Sequence, residues 1–405
     1  MNIIRHQLPP ATKKPTKLVR SRADLAINGA QPAFAEALHV GRPNIASTER
    51  FLELIRGALD RRWLTNNGPL VEELERRIAD YLGVKHCVVM SNGTIALEIA
   101  IRALELKGEV IVPSYTFIAT VHALYWQGIT PVFADIDPDT HNLDPAAVER
   151  MITPKTSGII GVHLWGRPAP VRALEDIASS YGLKLMFDAA HALGSSYDGR
   201  LVGRFGAAEV FSFHATKFFN SAEGGAVTTE SDELADRIRL MRNFGFAGLD
   251  NVVFPGTNGK MTELCAAMGL ANFEDIENVV EINRANYIAY KKGMDRIEGL
   301  RIKLIDENQY NNFQYVVVEV DDNCPVSRDD IVSALKAENV LARKYFWPGC
   351  HKMQPYRDLF PHAGLALPST DAVAGRVIVL PTGSAVNPAM CAEIADILSA
   401  ICRVA

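Results

Sequence analysis

The sequence predicts an α/β protein: a large domain with a mostly parallel central sheet covered by helices, plus a smaller C-terminal α+β domain. Three observations carry this. From Cys87 to about residue 230, short apolar runs alternate with segments of helical period. The runs are apolar almost throughout, as strands buried on both faces are. From Arg301 a new rhythm sets in, and 405 residues suffice for one large domain and a second, smaller one.

Residues 1–34 are basic and Pro-bearing (HQLPPATKKPTKLVRSR) and lack the apolar core of a secretory signal. They read as a flexible arm, with a transit-like segment as the alternative. From Gly41-Arg42-Pro43 the pattern turns helical. After the loop Trp63-Leu64-Thr65-Asn66-Asn67-Gly68-Pro69, the residues Val71, Leu74, Ile78 and Leu82 share one helix face, and Gly83 stops that helix. CVVMS, GEVIVPS, PVFADID, SGIIGVHLW and LKLMFDA then read as strands. TIALEIAIRALEL, the stretch holding Ile118, Val121 and Leu124, PAAVERMI and VRALEDIASSYG read as the helices between them. Residues 231–295 are helical, with Ala266, Ala267 and Gly269 small enough for close packing. NFQYVVVEV, SRDDIVSALKAENV and RVIVLP supply a strand, an amphipathic helix and a late strand. The expected division is therefore 35–300 for the large domain and 301–405 for the small one.

Composition excludes several classes of function. Hydrophobic residues make up 48% and charged residues 22%, the balance of a globular chain with an ample core. A net charge of −5 argues against a general nucleic-acid binder. The apolar runs are too short and too interrupted to span a bilayer. Six Cys without CxxC spacing read as reduced thiols of a cytoplasmic protein. Ten His without HxH or HExxH pairing leave metal catalysis unsupported.

The chemistry gathers on FSFHATKFFNSAEGGAV, which begins at Phe211 and centres on Lys217. Glu209-Val210-Phe211-Ser212-Phe213 reads as a buried strand end, and Glu223-Gly224-Gly225-Ala226-Val227 as re-entry into another strand. A Lys just past a buried strand sits at a pocket rim, where desolvation lowers its pKa and frees the amine as a nucleophile. A lone Lys is ordinarily a snorkelling surface residue, but this one keeps particular company. Ser212 precedes it by five residues, Asp188 ends the apolar run of LKLMFDAAH, and Ser91-Asn92-Gly93-Thr94 opens a helix. An amine for an aldehyde, a carboxylate for a pyridinium nitrogen and a phosphate cradle are the parts of a pyridoxal-phosphate site. Ligands of such sheets bind beyond the carboxyl ends of the strands, where Ser114-Tyr115-Thr116-Phe117 and His163 also fall. Each part has an ordinary reading as well: Ser91–Thr94 and Asp188 as helix caps, Phe117 as a core residue.

Together, VPSYTFIAT, VHLWGRPAPVRALE, FDAAHALG and FSFHATK followed by EGGAV resemble the DegT/StrS family of sugar aminotransferases, over roughly residues 38–400. The resemblance implies a fold-type I aminotransferase using pyridoxal 5′-phosphate, with Lys217 and Asp188 catalytic. It places Gly93, Thr94 and Ser212 on the cofactor phosphate, Phe117 on the ring face and His191 near the ring hydroxyl, where many members carry Gln. Arg242-Asn243-Phe244-Gly245 and the segment Gly256–Met261 resemble those that reach into a neighbouring subunit. Asn258 would then bind the partner's cofactor phosphate, in a homodimer with shared active sites. Relatives with His in place of Lys217 perform a 3-dehydration, so its retention implies amino transfer. The closest likeness is to the branch that makes dTDP-4-amino-4,6-dideoxyglucose, acting at C4 of a dTDP-4-keto-6-deoxyhexose with L-glutamate as donor. His163, Trp165 and Arg167 are expected to line the nucleotide-sugar pocket, with packing of the following loop as the alternative for Trp165 and Arg167. Three alternatives stay open: amination at C3; an enzyme acting on amino acids alone, marked by a carboxylate-binding Arg such as Arg343 or Arg376; and a non-catalytic regulatory protein on the same fold.

Overall fold

The computed structural model of the chain describes residues 14–403. Seven strands form the main sheet: β1 His86–Met90, β2 Glu109–Pro113, β3 Thr130–Ala134, β4 Thr156–Val162, β5 Lys184–Asp188, β6 Ala208–Ser212 and β7 Gly225–Thr229. Their spatial order is β1-β7-β6-β5-β4-β2-β3. Every neighbouring pair is parallel except those of β7, which runs antiparallel to β1 and β6. Parallel neighbours need crossover connections, whereas an antiparallel pair can be joined at one edge. The loop 213–224 joins β6 to β7 in that way, and it carries Lys217 at the carboxyl edge of the parallel strands.

The helices of this unit are α1 Thr48–Arg61, α2 Pro69–Leu82, α3 Gly93–Ala103, α4 Ile118–Tyr125, α5 Pro145–Arg150, α6 Val171–Tyr181, α7 Asp232–Arg242, α8 Glu263–Phe273 and α9 Ile276–Met294. They cover both faces. Leu74, Ile78, Leu174, Ala266, Ala267 and Leu270 pack with Phe187 and Phe211 on one side. Ile101, Val121, Leu124 and Ile238 pack with Val88, Val110 and Met186 on the other. Helix α2 shows how directly sequence becomes structure. Pro69 takes the first turn, where its missing N–H costs nothing, and Leu70, Val71, Leu74, Ile78 and Leu82 are buried. Gly83 closes the helix in the left-handed region at φ 67°.

A second unit has a three-stranded antiparallel sheet, ordered β8 Leu300–Ile302, β9 Val316–Val320, β10 Val377–Leu380. Its chain segment carries α10 Arg328–Ala337, α11 Tyr356–Leu359, α12 Pro368–Arg376 and α13 Pro388–Cys402, of which α11 packs back on the first unit, Tyr356 lying against Tyr125 and Phe133. Helix α9 serves both cores, giving Ile276 and Val279 to the first and Tyr287, Tyr290 and Met294 to the second. The join therefore runs through α9, upstream of the division expected at 300/301.

Of the segment expected as a flexible arm, residues 14–34 are anchored in this second core. Val19, Leu25, Ala33 and Phe34 are buried there among the residues of α10 and α13. Two buried carboxylates receive the segment's backbone. Glu393 accepts from the Val19 N–H at 2.6 Å, and Glu338 from those of Ala26 at 2.5 Å and Ala33 at 2.6 Å. A few apolar residues among many basic ones suffice for docking, and overall composition hides them. The rest of the expected arm, residues 1–13, lies outside the described residues.

Candidate active site

A cavity of about 510 Å³ opens at the carboxyl edge of the sheet, and Gly93, Thr94, Phe117, Asp188, His191, Ser212 and Lys217 all line it. Its floor comes from strand ends. Helix α3 begins hard against β7: a Cβ on Gly225 would stand 2.6 Å from the Gly93 nitrogen, so only Gly fits there. The Asn92 Oδ1 caps α3 by accepting from the Ile95 N–H at 2.9 Å, and the Ala96 N–H bonds the Asn92 carbonyl. Among the described residues, the N–H groups of Gly93 and Thr94 find no acceptor. With Ser212 close by (its Cβ 3.0 Å from where a Gly93 Cβ would stand), they make a cradle for a dianion at a helix start.

Lys217 is held at the rim by its loop. The Phe213 and Phe219 rings meet edge-on at 5.0 Å in the core, the Phe213 N–H bonds the Gly224 carbonyl, and the Lys217 N–H bonds the His214 carbonyl. Burial pulls the Lys217 amine down to about 8, against an opposing pull from the Asp188 charge. A substantial neutral fraction near pH 8 makes the amine a competent nucleophile and base. Its Nζ lies 3.5 Å from the Tyr315 hydroxyl.

Asp188 is buried at the end of β5. Its Oδ2 accepts from the Thr120 hydroxyl at 2.8 Å and its Oδ1 from the Ala190 N–H at 3.1 Å. Burial raises its pKa, with those two hydrogen bonds and the Lys217 charge working the other way. Burial pushes His191 well below the ordinary imidazole value, with Lys217 adding to the effect, so the ring is neutral. Its Nδ1 faces the Trp165 N–H at 3.4 Å, which leaves the proton on Nε2. Phe117 is exposed at the mouth, an apolar ring with one open face.

Other expected residues lie elsewhere. Asn258 is exposed on the segment that bridges to Asn243, and it does not line this chain's own cavity. His163 points away from the cavity into the core, where its Nε2 meets Glu209 at 2.6 Å. Side chains alternate along a strand, and Val162 takes the cavity side. Trp165 is buried behind the cavity wall, and Arg167 lines a separate cleft of about 500 Å³. Arg343 and Arg376 are both absent from the lining. Conversely, Tyr315, Tyr345 and Phe346 of the second unit form a wall that the sequence did not disclose, and Thr120 supports Asp188 unannounced. Tyr315 directly precedes β9 within NFQYVVVEV, and Thr120 lies in the first turn of α4, three positions after the N-cap residue Phe117. Those are the available signals, and both are faint.

Two features call for a group the chain itself does not supply. The Gly93 and Thr94 N–H groups lack acceptors, and Asp188 has no ion-pair partner among the described residues. A phosphate answers the first and a protonated ring nitrogen the second. The aldehyde of pyridoxal phosphate answers the desolvated amine of Lys217.

Comparison with known proteins agrees. A dTDP-4-amino-4,6-dideoxy-D-glucose transaminase of Shigella dysenteriae is 38% identical over 344 residues, 85% of this chain and 93% of that protein. The Escherichia coli transaminase of that name is 36% identical over 366 residues, 90% of this chain and 98% of that protein. The crystal structure of DesI in the presence of its TDP-sugar product superposes with a TM-score of 0.90 at 49% identity, covering 94% of this chain and 96% of that one. The sequence profile of one family matches residues 46–399. The chain belongs to the DegT/DnrJ/EryC1/StrS aminotransferase family, whose cofactor is pyridoxal 5′-phosphate.

Proposed function

We propose that this aminotransferase moves an amino group from L-glutamate to C4 of a dTDP-linked 4-keto-6-deoxyhexose, giving a dTDP-4-amino-4,6-dideoxyhexose. The observation that carries the amino-transfer chemistry is the desolvated Lys217 amine in one cavity with Asp188 and the unpaired N–H groups of Gly93 and Thr94. The acceptor rests on the relatives named above.

Bound pyridoxal phosphate supplies an aldehyde that captures amines and a ring that delocalises the charge left when a proton is removed. The protein supplies everything else. Gly93, Thr94 and Ser212 would hold the phosphate, and Phe117 would cover the ring. Asp188, held in place by the Thr120 hydroxyl and the Ala190 N–H, would keep the ring nitrogen protonated. The neutral His191 presents Nε2–H as a donor. The desolvated Lys217 amine would take the donor's α-proton and return it, as general base and acid. Tyr315, kept protonated by burial, stands beside the lysine amine. Both substrates use one site in turn, so ping-pong kinetics follow.

The functional unit is a cytoplasmic homodimer in which Asn258 completes the partner's phosphate site. Among the described residues no helix is long and apolar enough to cross a membrane. The exposed Phe244, Phe246, Val252 and Val253 on the same segment support burial against a second copy.

Two experiments test these claims. A panel of 4-keto and 3-keto dTDP-6-deoxyhexoses, compared by kcat/KM with NMR of the aminated product, should favour the 4-keto sugar. An amine at C3 would overturn the regiochemistry. Mixing inactive Lys217→Ala and Asn258→Ala subunits should restore activity, because hybrid dimers hold one site free of both lesions. A fully active monomer in sedimentation would remove the shared site.

A further inference from the structure

We propose that Glu319, His141 and Trp165 form a buried relay that positions the His191–Phe346 wall of the cofactor pocket, an inference resting on the pyridoxal-phosphate reading above. The relay starts in the second unit, on β9. The Glu319 side chain is 2% exposed and meets three donors: His141 Nε2 at 2.8 Å, an Arg301 guanidinium nitrogen at 2.8 Å and Lys303 Nζ at 2.7 Å. A carboxylate held from three sides has little freedom to turn.

His141 is buried in the loop after β3 and transmits that orientation. An indole N–H can only donate, so Trp165 Nε1, at 3.1 Å from His141 Nδ1, fixes that nitrogen as the acceptor. The imidazole proton then sits on Nε2 and is given to Glu319. The tautomer is thereby determined by its two neighbours.

Trp165 ends the relay. Its ring lies 5.3 Å from Phe346 at an interplanar angle of 14° and 6.2 Å from His191 at 18°. Its backbone N–H faces His191 Nδ1. Phe346 and His191 both line the cavity, so the indole is the layer behind the wall. A phenylalanine at 165 would also present an aromatic layer. What it would lack is the N–H that ties the ring's rotation to His141. Turning the indole away would leave that buried donor unpaired, which is why one orientation persists. The three are positioning residues; none of them is part of the cavity lining.

The test compares wild type, Trp165→Phe, His141→Leu and His141→Gln, each prepared as apoprotein and titrated with pyridoxal phosphate before kcat and KM are measured. Loss of one buried hydrogen bond at the wall should weaken cofactor affinity and lower kcat about 3–10-fold in Trp165→Phe and His141→Leu. His141→Gln should recover most of both, because its amide offers an acceptor to the indole and a donor to Glu319. Trp165→Phe with affinity and kcat within about two-fold of wild type would overturn the relay, whatever happens to Tm. That variant also decides the matter if His141→Leu does not fold. Wild-type apoprotein that fails to bind pyridoxal phosphate would sink the underlying reading instead, so the two failures are distinguishable.

Discussion

The floor of the pocket comes from the first unit and most of its wall from the second, and the two are made of different chemistry. The floor, at 92–94, 188 and 212–217, consists of strand ends and a helix start, and burial displaces its two key groups in opposite directions. The Lys217 amine goes down and the Asp188 carboxyl goes up, each towards its uncharged form. The wall, made of His191, Tyr315, Tyr345 and Phe346, is aromatic, and burial keeps His191 neutral and Tyr315 protonated. The difference teaches a division of labour. Charge that must change during the reaction sits on the rigid edge of the large sheet. Shape that must suit a substrate is supplied largely across the join, by Tyr315, Tyr345 and Phe346. Damage to the floor should therefore remove chemistry, and damage to the wall should misplace what reacts.

The largest effect expected is at the centre of the floor. Lys217→Ala should abolish both covalent cofactor attachment and turnover while leaving Tm near that of wild type, since the amine makes a single long contact, at 3.5 Å. Borohydride reduction and peptide mapping of the wild type should place the pyridoxyl label on Lys217. A label on any other lysine would break the comparison at its base. Next comes Asp188→Asn, which should retain bound cofactor but lose ~10²–10³ in kcat, the scale of a preorganised electrostatic partner. Near-normal turnover would reduce Asp188 to a helix-capping role.

The pH dependence sharpens the contrast. Covalent capture of pyridoxal phosphate by apoprotein requires the neutral amine, which predominates above its pKa. The capture rate should rise with pH and level off through an inflection near the amine's value of about 8. In Asp188→Asn the carboxylate no longer favours the charged amine, so the inflection should move to lower pH. An inflection near the ordinary lysine value of about 10.4 would mean that the amine is not desolvated. The smallest effect belongs to the wall. Tyr315→Phe removes one hydrogen-bonding hydroxyl beside Lys217 and should cost about 2–10-fold in kcat. A loss as large as that of Asp188→Asn would move Tyr315 from the wall to the floor.

How far the sequence discloses the site follows the same division. Strands buried on both faces are near-continuous apolar runs, so their ends are easy to locate, and residues at those ends converge without further information. Lys217, Asp188, Ser212, Gly93 and Thr94 are of this kind. The wall is different. Tyr315, Tyr345 and Phe346 meet the floor only because the second unit folds over it, and no local period encodes that approach. His163 shows the finer limit. Its position at a strand end was legible, but the side it faces depends on the alternation set by Val162, and it turns to Glu209. The arm at 14–34 misleads for a compositional reason: its docking depends on Val19, Leu25, Ala33 and Phe34 and on backbone N–H groups, which carry no sequence signature.

That docking has a consequence for synthesis. Val19 and Glu393, joined by one hydrogen bond, are 374 residues apart. At a translation rate of about 5–20 residues per second, Val19 is made roughly 20–75 s before its acceptor. The large sheet can close in that interval, since all seven strands lie between His86 and Thr229. The second unit cannot finish its core, which needs both the first and the last described segments of the chain. An early-made segment is thus among the last to settle, because Val19, Leu25, Ala33 and Phe34 have no finished core to enter until α13 emerges.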